Sequence, residues 1–397
     1  MLLAVALMSG MGSLAAPYTP ASAEEVVGKL TTGISPAAER ELKALRAELN
    51  VTPANLDLAC RVAEQLVHRA RTTSDPRHLS YAEAVLGPWW REAEPPVPAL
   101  VLRATILQSL HQFADARADL RQAVTRDPAN VRAWLTLATI DTLQGRFDES
   151  RLACLRLLQR GQEFAAVTIA ANIGSMTGQT AASVARLEAL LNGNPDSAPD
   201  LRRWALTLLA EMNARLERPE EAERRFRAAL KLDESDAYLL GAWADFLLDQ
   251  KRPGEAVELL ADHARQDSLL LRLAEARRQR GSADDLAVLP GLVERLDAGF
   301  AAGHLRPGFL HQREEARHLL RLKDDPAAAL AVALENWSLQ HEPADIRLVL
   351  EAAVAANRPD AAAPVLEWIR TNRYQDGSIR RLAERLGTMT VAAGSNP

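Results

Sequence analysis

The stretch His311-Gln312-Arg313-Glu314-Glu315-Ala316-Arg317-His318 concentrates two imidazoles, two carboxylates and two guanidiniums in eight residues. On a helix, Phe309, Ala316 and Leu320 form an apolar stripe, which puts His311, Glu314 and His318 on the opposite side. Those three side chains suggest a metal site. The histidines, however, are seven residues apart, about 10 Å along the axis, too far to share one ion without a ligand from another helix. The stretch therefore reads as polar surface facing solvent or a partner. His341-Glu342 runs into Pro343 and so cannot begin an HExxH helix. Within Trp337 to Arg347, Glu342, Pro343 and Asp345 suit the first turn of a helix, where carboxylates meet unpaired N–H groups; a ligand loop is the functional alternative. Cys60 and Cys154 make no metal set and read as buried small hydrophobes, although export would permit a disulfide. No GxxxxGK[ST], GxGxxG or GxSxG sequence occurs. No catalytic residue, cofactor or metal is assigned.

The elements that would carry these side chains follow from a repeat. Small residues recur at Ala104, Ala138, Ala171, Ala210 and Ala244, and twelve positions after each comes another, at Ala116, Ser150, Ser183, Ala222 and Ala256. Such a spacing, inside a period of about 34 residues, marks stacked helical hairpins whose paired helices approach closely at the small residues. Arg218-Pro219-Glu220-Glu221-Ala222 and Arg252-Pro253-Gly254-Glu255-Ala256 repeat the start of a second helix, and Arg358-Pro359-Asp360-Ala361-Ala362 gives a third version. Proline suits the first helical turn because its missing N–H is not needed there. Further helices are expected over Leu269–Gly281, Leu286–Ala301, Phe309–Leu322 and Ala327–Trp337, with less regular spacing. The array should amount to about nine hairpins, with a capping helix near Asp376–Leu386 and a frayed end after Gly387.

Composition agrees with helix: 48% hydrophobic, only 5% aromatic, and rich in Ala, Leu, Arg and Glu. The net charge of -5 is spread over interspersed signs, which implies no basic field for nucleic acid. Residues 1–23 read as a signal peptide, with an apolar run from Leu2 to Ala16 and Ala21-Ser22-Ala23 as the cleavage site. The basic start of such a leader is missing, since Lys29 is the first Lys or Arg. Export to the periplasm is the expectation, a cytoplasmic adaptor the alternative, and no integral membrane span is expected in the mature chain.

The pattern resembles the tetratricopeptide repeat family. With Ala138 at the family's eighth position, Trp134, Leu137, Gly145, Phe147, Ser150 and Leu158 fall at its fourth, seventh, fifteenth, seventeenth, twentieth and twenty-eighth, and Asp127-Pro128 closes the preceding repeat. Asp141 stands where an aromatic is usual. The resemblance implies an all-α, right-handed α-solenoid over residues 53–377, most regular over 97–263. A leading helix lies within 24–52 and a capping helix and tail within 378–397.

In that family the first helices line a concave groove that holds another protein or peptide segment. The matching positions here are Val101, Thr105 and Gln108, then Leu135, Thr139 and Thr142, then Thr168, Asn172 and Ser175. Trp204, Thr207, Glu211 and Arg215 follow, then Tyr238, Asp245 and Asp249. Of these, Thr139, Thr142, Thr168, Asn172, Trp204, Thr207, Glu211, Arg215, Tyr238 and Asp245 are the candidate protein-binding residues. Trp204 and Tyr238, at equivalent places in adjacent repeats, either contact a peptide or pack between repeats. The chaperone-tail mode, with Lys or Arg at position five and Asn at nine, is not met, since Asn172 stands with Thr168. The expected role is a non-catalytic interaction scaffold in the cell envelope. An accessory factor for envelope assembly or secretion is the alternative, and ionisable side chains clustered in the groove would favour an enzyme instead.

Overall fold

The computed structural model describes residues 36–73, 75–305 and 311–394, and among them every regular element is helical. The signal-like segment lies outside the described residues. A leading helix α1 (Pro36–Val51) precedes the pair α2 (Leu56–Thr73) and α3 (Arg77–Val85), and a single turn α4 (Gly87–Trp90) follows. The regular pairs are α5 (Val97–Ser109) with α6 (Phe113–Arg126), α7 (Val131–Leu143) with α8 (Phe147–Leu158), and α9 (Glu163–Met176) with α10 (Thr180–Gly193). After them come α11 (Pro199–Arg215) with α12 (Pro219–Leu230) and α13 (Ala237–Asp249) with α14 (Pro253–Leu260). The less regular pairs are α15 (Asp267–Arg280) with α16 (Ala283–His304), α17 (Gln312–Arg321) with α18 (Pro326–Trp337), and α19 (Pro343–Ala355) with α20 (Ala363–Asn372). The last helix, α21 (Gly377–Gly394), runs on where a frayed end was expected after Gly387, and Met389 packs against the apolar interior on that added stretch.

Small residues do what their spacing requires. All ten, from Ala104 to Ala256, are buried, and the Ser150 hydroxyl donates to the Ala138 carbonyl at 2.7 Å, joining α8 to α7. Where the next pair meets, a Cβ added to Gly174 would lie 2.5 Å from the Ser183 hydroxyl. Helices this close have no room for a branched side chain between them. Asp141, at the position where an aromatic is usual, is buried and accepts from Arg117 Nε at 2.5 Å, an ion pair between α7 and α6.

A left-handed residue turns the chain inside successive hairpins: His111, Gly145, Gly178, Glu217, Lys251, Gly281, Asp324 and Asn357 all have φ between 52° and 78°. The first five of these turns form a rim on which the C-terminal helices seat. His341 N donates to Leu143 O at 2.7 Å, and Trp368 meets Phe147 edge-on with ring centroids 6.2 Å apart. His311 meets His111 at 6.3 Å, Arg381 pairs with Glu217, and Arg347 pairs with Asp249 at 2.5 Å. One apolar cluster accordingly joins Phe147, Cys154 and Ile173 of the middle repeats to Trp337, Val365, Tyr374 and Ile379. Glycine allows a close approach at two of the turns. A Cβ on Gly178 would lie 3.0 Å from the Arg373 backbone oxygen, and one on Gly145 would lie 3.3 Å from His341 Nδ1.

Candidate binding chamber

Seating of the C-terminal helices on the rim turns the groove into a half-open chamber of about 1380 Å³. Its wall is built mainly by the first helices of seven consecutive pairs, α7, α9, α11, α13, α15, α17 and α19, with a few residues from the turns, α12 and α21. Nine of the ten candidate residues stand on this wall: Thr139, Thr142, Asn172, Trp204, Thr207, Glu211, Arg215, Tyr238 and Asp245. Thr168 does not. It is fully buried and spends its hydroxyl on Phe164 O of its own helix at 2.7 Å, so it presents nothing to the chamber. Val101, Thr105 and Ser175 are likewise buried rather than lining, and Ser175 supports Arg215 from behind.

One end of the chamber is hydroxylic. Thr139, Thr142 and Thr207 each donate to a carbonyl one turn back, at 2.8 to 2.9 Å, so their protons are committed and their oxygens face the cavity only as acceptors. Asn172 lies among them with a side-chain amide that has no partner among the described residues.

The other end is ionic. Ten Arg or Lys and ten Asp or Glu side chains line the wall, most of them bound to each other. Asp245 accepts from Arg272 at 2.9 Å and from Arg317 at 2.6 Å, and Arg317 also grips Glu275 at 2.6 Å. Two guanidinium groups beside it hold the Asp245 carboxyl far below the ordinary range, although burial opposes them. Arg313 spans Glu342 at 2.5 Å and Asp345 at 2.6 Å, and Asp345 also accepts from Asn336 Nδ2 at 2.6 Å. Glu342 and Asp345 form the capping box of α19, as the helix-start reading of that segment requires. Arg347 joins Asp249 to Glu351.

Glu211 stands apart from this network. Its two carboxylate oxygens each lie 3.0 Å from the Tyr238 hydroxyl, which donates to them, and no Arg, Lys or His nitrogen of the described residues comes within 4 Å. Burial pushes its pKa up to about 7 despite Arg215 one turn away. Arg215 is turned elsewhere, toward Ser175 Oγ at 3.0 Å and the Tyr374 hydroxyl at 3.3 Å. Tyr238 is 54% exposed to the water of the chamber, while Trp204 is half-buried and touches the apolar clusters on both sides of α11.

The histidine-rich stretch is not the single outward surface expected of it. His318 is buried, with Nε2 2.7 Å from Asp297 Oδ1 of α16 and its ring against Phe300; His311 meets His111 in the α5–α6 turn, and Glu314 faces the chamber. Helix α17 is covered on several faces, which splits the three side chains among different neighbours. Among the described residues no group of three or more His, Cys, Asp or Glu could hold a metal ion. Cys60 and Cys154 are buried and unpaired, and burial pushes both thiols up to about 11. Nor is any described helix long and apolar enough to cross a membrane.

Sequence reasoning missed Arg313, Arg317, Arg347 and Glu342 as chamber residues, because it sought the wall only in the regular repeats. Residues 101–164 and 207–270 match the tetratricopeptide repeat family model. No curated protein sequence matches the chain. Similar solved structures include a tetratricopeptide repeat protein from Parabacteroides merdae, at 15% identity over 73% of this chain and 98% of that one, with a TM-score of 0.34. A Rap protein complexed with competence and sporulation factor is 11% identical over 88% and 97% of the two chains, with a TM-score of 0.47. The human IFIT1 dimer with m7Gppp-AAAA is 12% identical over 89% and 86%, with a TM-score of 0.46. The two matched stretches lie within the run of helical hairpins, an all-α solenoid of tetratricopeptide type.

Proposed function

We propose that this protein is a non-catalytic scaffold that holds a segment of another protein inside the chamber, and that it works in the cell envelope. The carrying observation is the chamber itself, walled mainly by seven first helices and larger than the roughly 300–1,000 Å³ of small-molecule pockets. Clustered ionisable groups do occur in it, which is the feature that would favour an enzyme. Their chemistry argues otherwise, because most of the carboxylates are engaged by guanidinium groups, which hold Asp245 and Glu351 below the ordinary carboxylate range. Glu211 is pushed up to about 7, and Tyr238, whose hydroxyl it meets, is held protonated, so this pair offers a base no nucleophile to activate.

A photo-crosslinking residue at Asn172, inside the chamber, should capture the partner in the native host. The same residue at Leu155, on the outer face of α8, should not. Capture from Leu155 alone would reject the chamber as the site. Envelope location rests on the signal-like start, and fractionation with mass spectrometry of the mature N-terminus tests it: an intact residue 1 in the cytosol would reject export.

A further inference from the structure

We infer that the chamber recognises a lysine or arginine side chain of an extended partner segment. Its charge is received by Glu211 and Tyr238, and Trp204 takes an apolar side chain two or three residues away. This inference rests on the chamber being the binding site. The wall is neutral overall, yet its charges are unequally committed. Arg272, Arg313, Arg317 and Arg347 are each held by at least one carboxylate of the chain, so an acidic ligand meeting these four would have to displace a buried partner; Arg215 has no carboxylate but is bound by Ser175 and Tyr374. Glu211 has no such cation and is met only by a hydroxyl.

The groups that face Glu211 explain what is missing. Arg215, on its own helix, is drawn away by Ser175 and Tyr374; Asp245 of α13 and Glu342 at the start of α19 add like charge, and the arginines nearest those two are already engaged. An ammonium or guanidinium group entering here would supply the absent counter-charge, and the exposed Tyr238 ring offers it a π face as well. Trp204 lies seven residues before Glu211, on the same face of α11 and about 10 Å along its axis. An extended chain covers that distance in about three residues.

A library of random ten-residue peptides displayed on phage and panned against the full chain tests the inference. Enriched binders should carry Lys or Arg with a large apolar residue two or three positions away. Their affinity should fall at least tenfold in Glu211→Gln and recover in part in Glu211→Asp, with thermal melts confirming that both variants fold. Calorimetry at pH 7 in two buffers of different ionisation heat should show proton release on binding to the unaltered chain and none with Glu211→Gln. Binders that lack Lys and Arg but are lost in Trp204→Ala would overturn the cation site and leave the chamber standing. Binders indifferent to Trp204→Ala and Asn172→Ala, or a library that yields none, would overturn the chamber as well.

Discussion

The hairpins between Val97 and Leu260 are held by alanine and serine nests, apolar side chains and ion pairs that join neighbours in sequence, as Ala138 meets Ser150 and Arg117 meets Asp141. Beyond Asp267 the same two-helix unit is held differently. Arginine forks tie α15, α17 and α19 together across the chamber, and the contacts of the last helices reach far back, as Gln144 does to Leu339 over 195 positions. The first region makes the solenoid and the second closes it. A period in the sequence records contacts between adjacent repeats, which recur; closure happens once and leaves no period behind.

Substitutions in the two regions should therefore fail in different ways. The largest loss is expected in the second: Arg313→Met strands the buried Asp345 carboxylate and should cost about 3–5 kcal/mol in urea denaturation. In the first region, Ala210→Leu forces α11 away from Ala222 and should cost roughly 2–3 kcal/mol. Next comes the seam. Trp368→Ala removes the contact with Phe147 and should cost about 2 kcal/mol, less than a fully buried aromatic. Its more telling effect should be to split one unfolding transition into two, as the regions lose their coupling; a single sharp transition would show that neighbour contacts alone carry cooperativity.

The smallest effect concerns pH. Glu211 binds its proton more tightly folded than unfolded, so its contribution to stability is present below the ordinary glutamate range and is lost as pH rises through about 7. Melting temperature followed from pH 4.5 to 8 should decline less in Glu211→Gln than in the unaltered chain. Equal slopes would place the titration elsewhere.

Much of the first region was legible. Small-residue spacing located the hairpins, and the family's groove positions put nine of ten candidates on the chamber wall. Thr168 failed because a position in a repeat does not say whether a side chain has already been covered. Closure was not legible for a related reason: His341, Trp368 and Arg373 carry no period, and their partners lie in turns that look alike. Two signals were present. Glycine occupies the turns at 145 and 178, where His111, Glu217 and Lys251 show that a side chain can take the same backbone form. The segment Trp337–Arg347 is also denser in aromatic and polar groups than a connection needs, because His341 must reach both Leu143 and Trp368.

Amide hydrogen exchange at His341 probes the closed ring most directly, since this N–H belongs to a connecting segment and its acceptor, Leu143 O, lies across the seam. Protection on the order of a hundredfold or more, abolished in Trp368→Ala while the α7 and α11 amides stay protected, is the expected result. Exchange of the His341 amide at the unprotected rate in the folded, unaltered chain would mean that the superhelix is open and that the chamber does not exist.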